Sequence, residues 1–265
     1  MTPSLSIHPW EIFLLSLAVS LFACAPSRYI EKQSHFGPDL GISASDDHLK
    51  VSLNHVIIPN GPGSWVKEAR WDEYIVTIEN ISEYPLTIQN VRLIDFRGVY
   101  INQGMDPTVL EKTSEQLTAE YTRGGLALAV YSAPRIAIWT GSFSALTAMV
   151  PFVSYASPVL GLTEMASKSA QAKDLKNIQA EFARRRIHYV TLSGGGKGTG
   201  SGFFPLVPNP RALAIDYMVQ AKPFPQMGIL EVTLEKLAGL HIEQPKEETG
   251  DAEGEEEVEE EEEEQ

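Results

Sequence analysis

Cysteine is nearly absent: Cys24 is the only one in 265 residues. A disulfide within the chain is therefore excluded, as is a metal site built from cysteines. Long apolar runs are scarce too. The run nearest the amino terminus, residues 12–22, is 11 residues long, against the roughly 20 that a spanning helix needs. Residues 1–11, ahead of it, contain no Lys or Arg. Positive charge is in deficit overall. The net charge is −14, and residues 246–265, with 13 acidic residues and one basic, account for −12 of it. The rest is nearly neutral at −2, so the basic footprint of a nucleic-acid binder is missing and no nucleic-acid partner is expected.

Motifs that carry chemistry are also lacking. Downstream of Cys24 the histidines are His35, His48, His55, His188 and His241, with no pair at the i, i+4 spacing of a helical metal site. There is no G-x-S-x-G elbow, and no carboxylate pair stands out from the acidic background. The run Gly194-Gly195-Gly196-Lys197-Gly198-Thr199-Gly200 invites a phosphate-loop reading. That loop needs a glycine five residues before the final Gly-Lys and a hydroxyl residue after the lysine, where this chain has Thr191 and Gly198. Phe203-Phe204-Pro205 is no helix start either, so a flexible hairpin loop is the expectation. Catalytic, cofactor-binding and metal-ligating residues are accordingly expected to be none, and the protein is expected not to be an enzyme and to need no cofactor.

What is present begins at Leu21-Phe22-Ala23-Cys24. A leucine three residues before the cysteine, a small residue just before it and an apolar run of signal-peptide length upstream resemble the lipobox of bacterial lipoproteins. The resemblance covers about the first two dozen residues. It implies cleavage before Cys24, acylation of its thiol and new amine, and membrane lipid as partner. Two or three acyl chains, each worth about 0.8 kcal/mol per buried methylene, make a lasting anchor. Ala25 and Pro26 follow the cysteine without an aspartate. In two-membrane bacteria that pattern implies a lipid-anchored place in the cell envelope, at the outer membrane facing the periplasm.

Residues 1–23 thus read as a lipoprotein signal peptide and 24–46 as lipid anchor and tether, polar and punctuated by Pro26, Gly37, Pro38 and Gly41. In 47–105 the alternation of Leu49, Val51 and Leu53, the β-branched and aromatic Tyr74-Ile75-Val76-Thr77-Ile78, and short runs at 86–88, 91–94 and 99–101 predict strands. Asp106-Pro107 caps a predicted helix of about four turns carrying Val109, Leu110, Leu117 and Tyr121 on one face and stopped at Gly124-Gly125. A second helix is predicted over 166–186, with Ala172, Leu175, Ile178 and Phe182 in a stripe. Strands return in 187–242, where Leu213, Ile215, Tyr217 and Val219 alternate, as do Leu230, Val232 and Leu234. The fold expected is α+β, an immunoglobulin-like antiparallel β-sandwich in two halves, 47–105 and 187–242, interrupted by a helical insertion with an apolar hairpin at 106–186. The succession of strand, glycine loop and Gly202-Phe203-Phe204-Pro205 is loosely similar to later hairpins of immunoglobulin-like envelope lipoprotein domains, over about 40 residues.

Within the insertion, residues 136–163 carry no charge. Pro151 and Pro158 divide them, and the longest piece, 136–150, is 15 residues or about 22 Å of helix, too short to cross a bilayer alone. So large an apolar segment must be covered, by the sandwich, an envelope partner, a second copy through residues 124–163, or lipid. Residues 243–265 are expected to be a disordered acidic tail that solubilises the chain or folds back on Lys168, Lys173, Lys176 and Arg184-Arg185-Arg186. The expected function is a non-enzymatic, membrane-anchored structural or interaction module. A membrane-inserting, pore-like oligomer built from 124–163 is the first alternative, and a ligand-binding or enzymatic domain with no recognisable motif the second.

Overall fold

The computed structural model describes residues 27–31, 36–37, 39–126, 128 and 170–242. The stretch expected to be a signal peptide (1–23), Cys24, the uncharged stretch 136–163 and the acidic segment 243–265 lie outside the described residues. In chain order the elements are β1 (Ile42–Ser45), β2 (Leu49–Ile57), β3 (Trp71–Asn80), β4 (Leu86–Ile94), β5 (Tyr100–Asn102), α1 (Pro107–Arg123), α2 (Ala170–Arg185), β6 (Val190–Leu192), β7 (Lys197–Pro205), β8 (Ala212–Val219) and β9 (Gln226–Thr233). A short 3-10 turn, Glu235–Leu237, follows.

The strands form two antiparallel sheets. One has the order β1-β2-β3-β7; the other runs β5-β4-β8-β9, with β6 also pairing β4. Period-two alternation sends one face of each strand inward. Val51, Leu53, Val76 and Ile78 of the first sheet meet Ile88, Leu93, Ile215 and Val232 of the second in one buried cluster. The result is an α+β β-sandwich. Strands from both sides of the helices share each sheet, since β3 pairs β7 and β4 pairs β8. Tyr217 Oη, which donates to Asp46 Oδ2 at 2.6 Å, ties β8 to the β1–β2 turn of the opposite sheet.

A second, aromatic cluster lies on the outer face of the first sheet. Trp71 on β3 and Phe203 on β7 are covered by Leu110 of α1 and by Ile178 and Phe182 of α2. The rings of Phe182 and Phe203 stack with centroids 4.1 Å apart. Three layers result: helices, first sheet, second sheet. Asp106 caps α1 as expected, its side chain accepting from the amides of Thr108 and Val109. Among the described residues no helix is long and apolar enough to cross a membrane.

The structure departs from the sequence reading at four places. Strand β1 lies inside the stretch predicted as tether, because Ile42 and Ala44 find register partners in Leu53 and Val51. Leu86–Ile94 is one strand, not two: a register shift between Ile88 and Asn90 moves the buried positions from 86 and 88 to 91 and 93. The glycine run is mostly strand, since Lys197, Gly198, Thr199 and Gly200 pair with Glu79, Ile78, Thr77 and Val76. Finally, the helix stripes are shifted in part. Val109 is 63% and Leu175 43% exposed, whereas Leu110 and Tyr121 of α1 and Ile178 and Phe182 of α2 are buried as expected, and Ser114 is buried with them. Ser114 is spared an unsatisfied hydroxyl because its Oγ accepts from the Leu206 amide at 2.9 Å.

Candidate functional site

The outer face of β3 holds a charge among aromatics. Alternation puts Glu73 beside Trp71 on the helix side of the sheet, where it is 1% exposed. A carboxylate taken that far out of water must be repaid by partners. Glu73 has three: Trp65 Nε1 donates to Oε2 at 2.7 Å, Ser201 Oγ to Oε1 at 2.6 Å, and Arg185 Nη1 reaches Oε1 at 3.3 Å. The Arg185 guanidinium also lies 5.2 Å from the Trp65 ring centre. Helix α2 is thereby bolted to the sheet through its last turn.

Glu181, one turn earlier, collects both neighbouring arginines. Arg184 approaches to 2.6 Å and Arg185 to 2.7 Å. The hydrogen bond from Arg184, followed by that from Arg185, brings the Glu181 carboxyl down to about 2 against opposing desolvation. An unfolded glutamate takes up its proton near pH 4.3. The stabilisation from this depressed group is therefore complete above the ordinary carboxylate range and is lost as pH falls toward about 2. Unfolding midpoints of the native protein and Glu181→Gln, measured from about pH 6 downward, should converge across that window; a constant gap would contradict the assignment.

The three arginines offered by the sequence to the acidic tail are largely used within the fold. Arg185 is 12% exposed in its side chain and shared between Glu73 and Glu181. Arg184 is engaged by Glu181, and Arg186 Nη1 donates to the Met105 carbonyl. The open cations of α2 are Lys173 and Lys176.

The start of the described chain is seated at the other end of α2. Ser27 Oγ donates to Asp174 Oδ1 at 2.8 Å and the Arg28 amide to Oδ2 at 2.7 Å. The Ile30 amide donates to the Trp65 carbonyl, and the Lys67 amide to that of Arg28. The Arg28 guanidinium pairs with Glu111 of α1 and donates to the Lys67 and Glu68 carbonyls. Tyr29 packs edge-on against Trp65, centroids 6.5 Å apart. The Asp174 carboxyl is held below its ordinary range, chiefly by the Ser27 hydroxyl. Where composition predicts a tether, residues 27–31 are clamped between α2, α1 and the loop before β3.

Asp72, next to Glu73, faces the opposite way. Its Oδ2 lies 2.8 Å from His241 Nε2, with the two side chains 0% and 1% exposed. Oδ1 has no hydrogen-bond partner among the described residues. His241 is thus a core imidazole, and it fixes the segment after the 3-10 turn to the start of β3. Neighbouring Ile242 bridges Leu128, the last described residue before Ala170.

A small cleft beside Glu73, of about 10 Å³, is lined by Ile57, Ile58, Trp65, Val66 and Trp71. It is smaller than the roughly 300–1,000 Å³ of small-molecule sites, and both Glu73 oxygens facing that region are already engaged. Among the described residues no group of three His, Cys, Asp or Glu is placed to hold a metal ion. Cys24, the one site residue expected from the sequence, lies outside the described residues, three positions before Ser27. Sequence reading missed Asp72, Glu73 and Asp174. The first two were open to detection, because adjacent acids between Trp71 and Tyr74-Ile75-Val76 sit in a strand apolar on both faces, where each needs a buried partner. Comparison with protein-family models, curated proteins and solved structures yields no match.

Proposed function

We propose that this protein is a non-enzymatic lipoprotein of the bacterial cell envelope, held by acylated Cys24 and acting as a structural or interaction module. The observation that carries the reading is the lipobox Leu21-Phe22-Ala23-Cys24 behind an 11-residue apolar run. The seat of Ser27 and Arg28 on Asp174 supports it, because an anchor only three residues away acts on a body that is already folded beside it. The outer membrane, facing the periplasm, is the location that Ala25-Pro26 favours.

The sandwich is read as immunoglobulin-like. The order β2-β3-β7 in one sheet against β5-β4-β8-β9 in the other parallels strands A-B-E against C′-C-F-G of that fold, with the helices inserted before strand E.

Fractionation of cells producing Cys24→Ala tests the reading. The native chain should sediment with membranes and float with lipid, whereas Cys24→Ala should be released or accumulate as a longer, uncleaved precursor. A Cys24→Ala protein of mature size that stays membrane-bound like the native chain would overturn it.

A further inference from the structure

The corner where Ser27 meets α2 is the meeting point of two separate apolar features of the sequence. Upstream of Ser27 the chain has three residues to reach Cys24, a span of at most about 11 Å. On α2, Ala170 precedes Asp174 by four residues, about 6 Å of helix, and the last residue of the uncharged stretch 136–163 is seven residues before Ala170. The Ser27–Asp174 hydrogen bond, 2.8 Å, joins the two. Along the sequence, both lie within a few residues of this one corner of the body.

That corner is not finished as an ordinary solvent face. Leu175 continues the stripe of Ile178 and Phe182 that seals α2 to the sheet, yet it overhangs and is 43% exposed. Lys173 and Lys176 are exposed farther round the same end of α2, and Lys67, from the loop before β3, is exposed and acts electrostatically on Asp174. The Asp174 and Glu111 carboxylates are taken up by Ser27 and Arg28. An exposed leucine with exposed lysines at one helix end suits a headgroup layer, with the apolar group dipping in and the amines at phosphate level.

We propose that the end of the body carrying Ser27, Arg28, Lys67 and the first turns of α2, with Lys173, Leu175 and Lys176, rests directly on the lipid headgroups of the leaflet holding the Cys24 acyl chains, so that the sandwich stands on its helical end. The inference rests on the lipoprotein reading, since without the anchor nothing sets the distance to the leaflet. In this pose β3 runs away from the bilayer: its Trp71 end packs beside Trp65 and its Asn80 end lies nine residues on, about 30 Å away. Glu83, just past Asn80, marks the far tip.

With Cys24 acylated, a cysteine introduced elsewhere is the one free thiol, which makes labelling specific. Lipidated full-length Leu175→Cys, Lys176→Cys and Glu83→Cys proteins, each carrying a thiol-linked fluorophore, are reconstituted on phosphatidylcholine–phosphatidylglycerol vesicles with and without headgroup-spin-labelled phosphatidylcholine. The labels at 175 and 176 should lose more than half of their fluorescence to the spin label, and the label at 83 almost none. Flotation of the same samples separates the two ways of failing. Protein that does not float with the vesicles overturns the anchor and this orientation together. Protein that floats but is quenched equally at both ends, more strongly at 83, or not at 175 and 176 because another protein surface covers them, overturns the orientation alone.

Discussion

Replacing His241 with alanine is expected to destabilise the fold by about 3–5 kcal/mol, the cost of removing one member of a buried polar pair. Asp72 is 0% exposed on the inner face of β3, and His241 Nε2 is the partner that its Oδ2 has. Its Oδ1 already lacks one among the described residues, so His241→Ala strands the whole carboxylate and leaves a cavity of imidazole size. Replacing both members should cost much less, because the penalty comes from the abandoned charge rather than the lost contact. A urea double-mutant cycle on His241→Ala, Asp72→Leu and the double variant measures this. A strongly positive coupling is expected; a loss below about 1 kcal/mol for His241→Ala would mean that water reaches Asp72 after all. Ile242, the next residue, bridges Leu128, so the same change should also loosen that bridge.

Glu73→Leu is expected to cost a similar amount, about 3–5 kcal/mol, for the mirrored reason. It leaves Arg185, 12% exposed, together with the Trp65 indole N–H and the Ser201 hydroxyl facing a hydrocarbon. Glu73→Gln keeps the shape and one acceptor, and Arg185 keeps Glu181, so its loss should be nearer about 1–3 kcal/mol. The effect should reach the amino terminus. Helix α2 carries Asp174, and once its Arg185 end is released the seat of Ser27 and Arg28 weakens. Limited trypsinolysis should therefore cut after Arg28 or Lys67 faster in Glu73→Leu than in the native protein, in step with the fall in urea midpoint. Equal cutting rates would uncouple the helical layer from the amino-terminal clamp.

How far the sequence spoke depended on whether the partner of a residue was local. β2, β3, β8 and β9 were legible because alternation is local and the inward face is apolar along its length, as in Leu49, Val51 and Leu53. The α1 cap was legible because Asp106 and the Thr108 and Val109 amides that donate to it are close in sequence. β1 was not, since four residues, Ile-Ser-Ala-Ser, become a strand only through Leu53 and Val51. Nor were the glycines of β7, which pair with the apolar half of β3. A side chain there would crowd the core: a Cβ on Gly202 would come within 2.8 Å of the Phe204 ring. The clamp on residues 27–31 was the least visible, because Asp174 lies almost 150 residues away in a helix whose own pattern gives no hint of it.

The account stands on Cys24. Its most direct test is the mass of the amino-terminal peptide of the protein isolated from the membranes of the cells that make it. The prediction is a peptide beginning at residue 24 with a diacylglyceryl group on sulfur. A peptide beginning at Met1, or a Cys24 with its thiol free, would contradict the account.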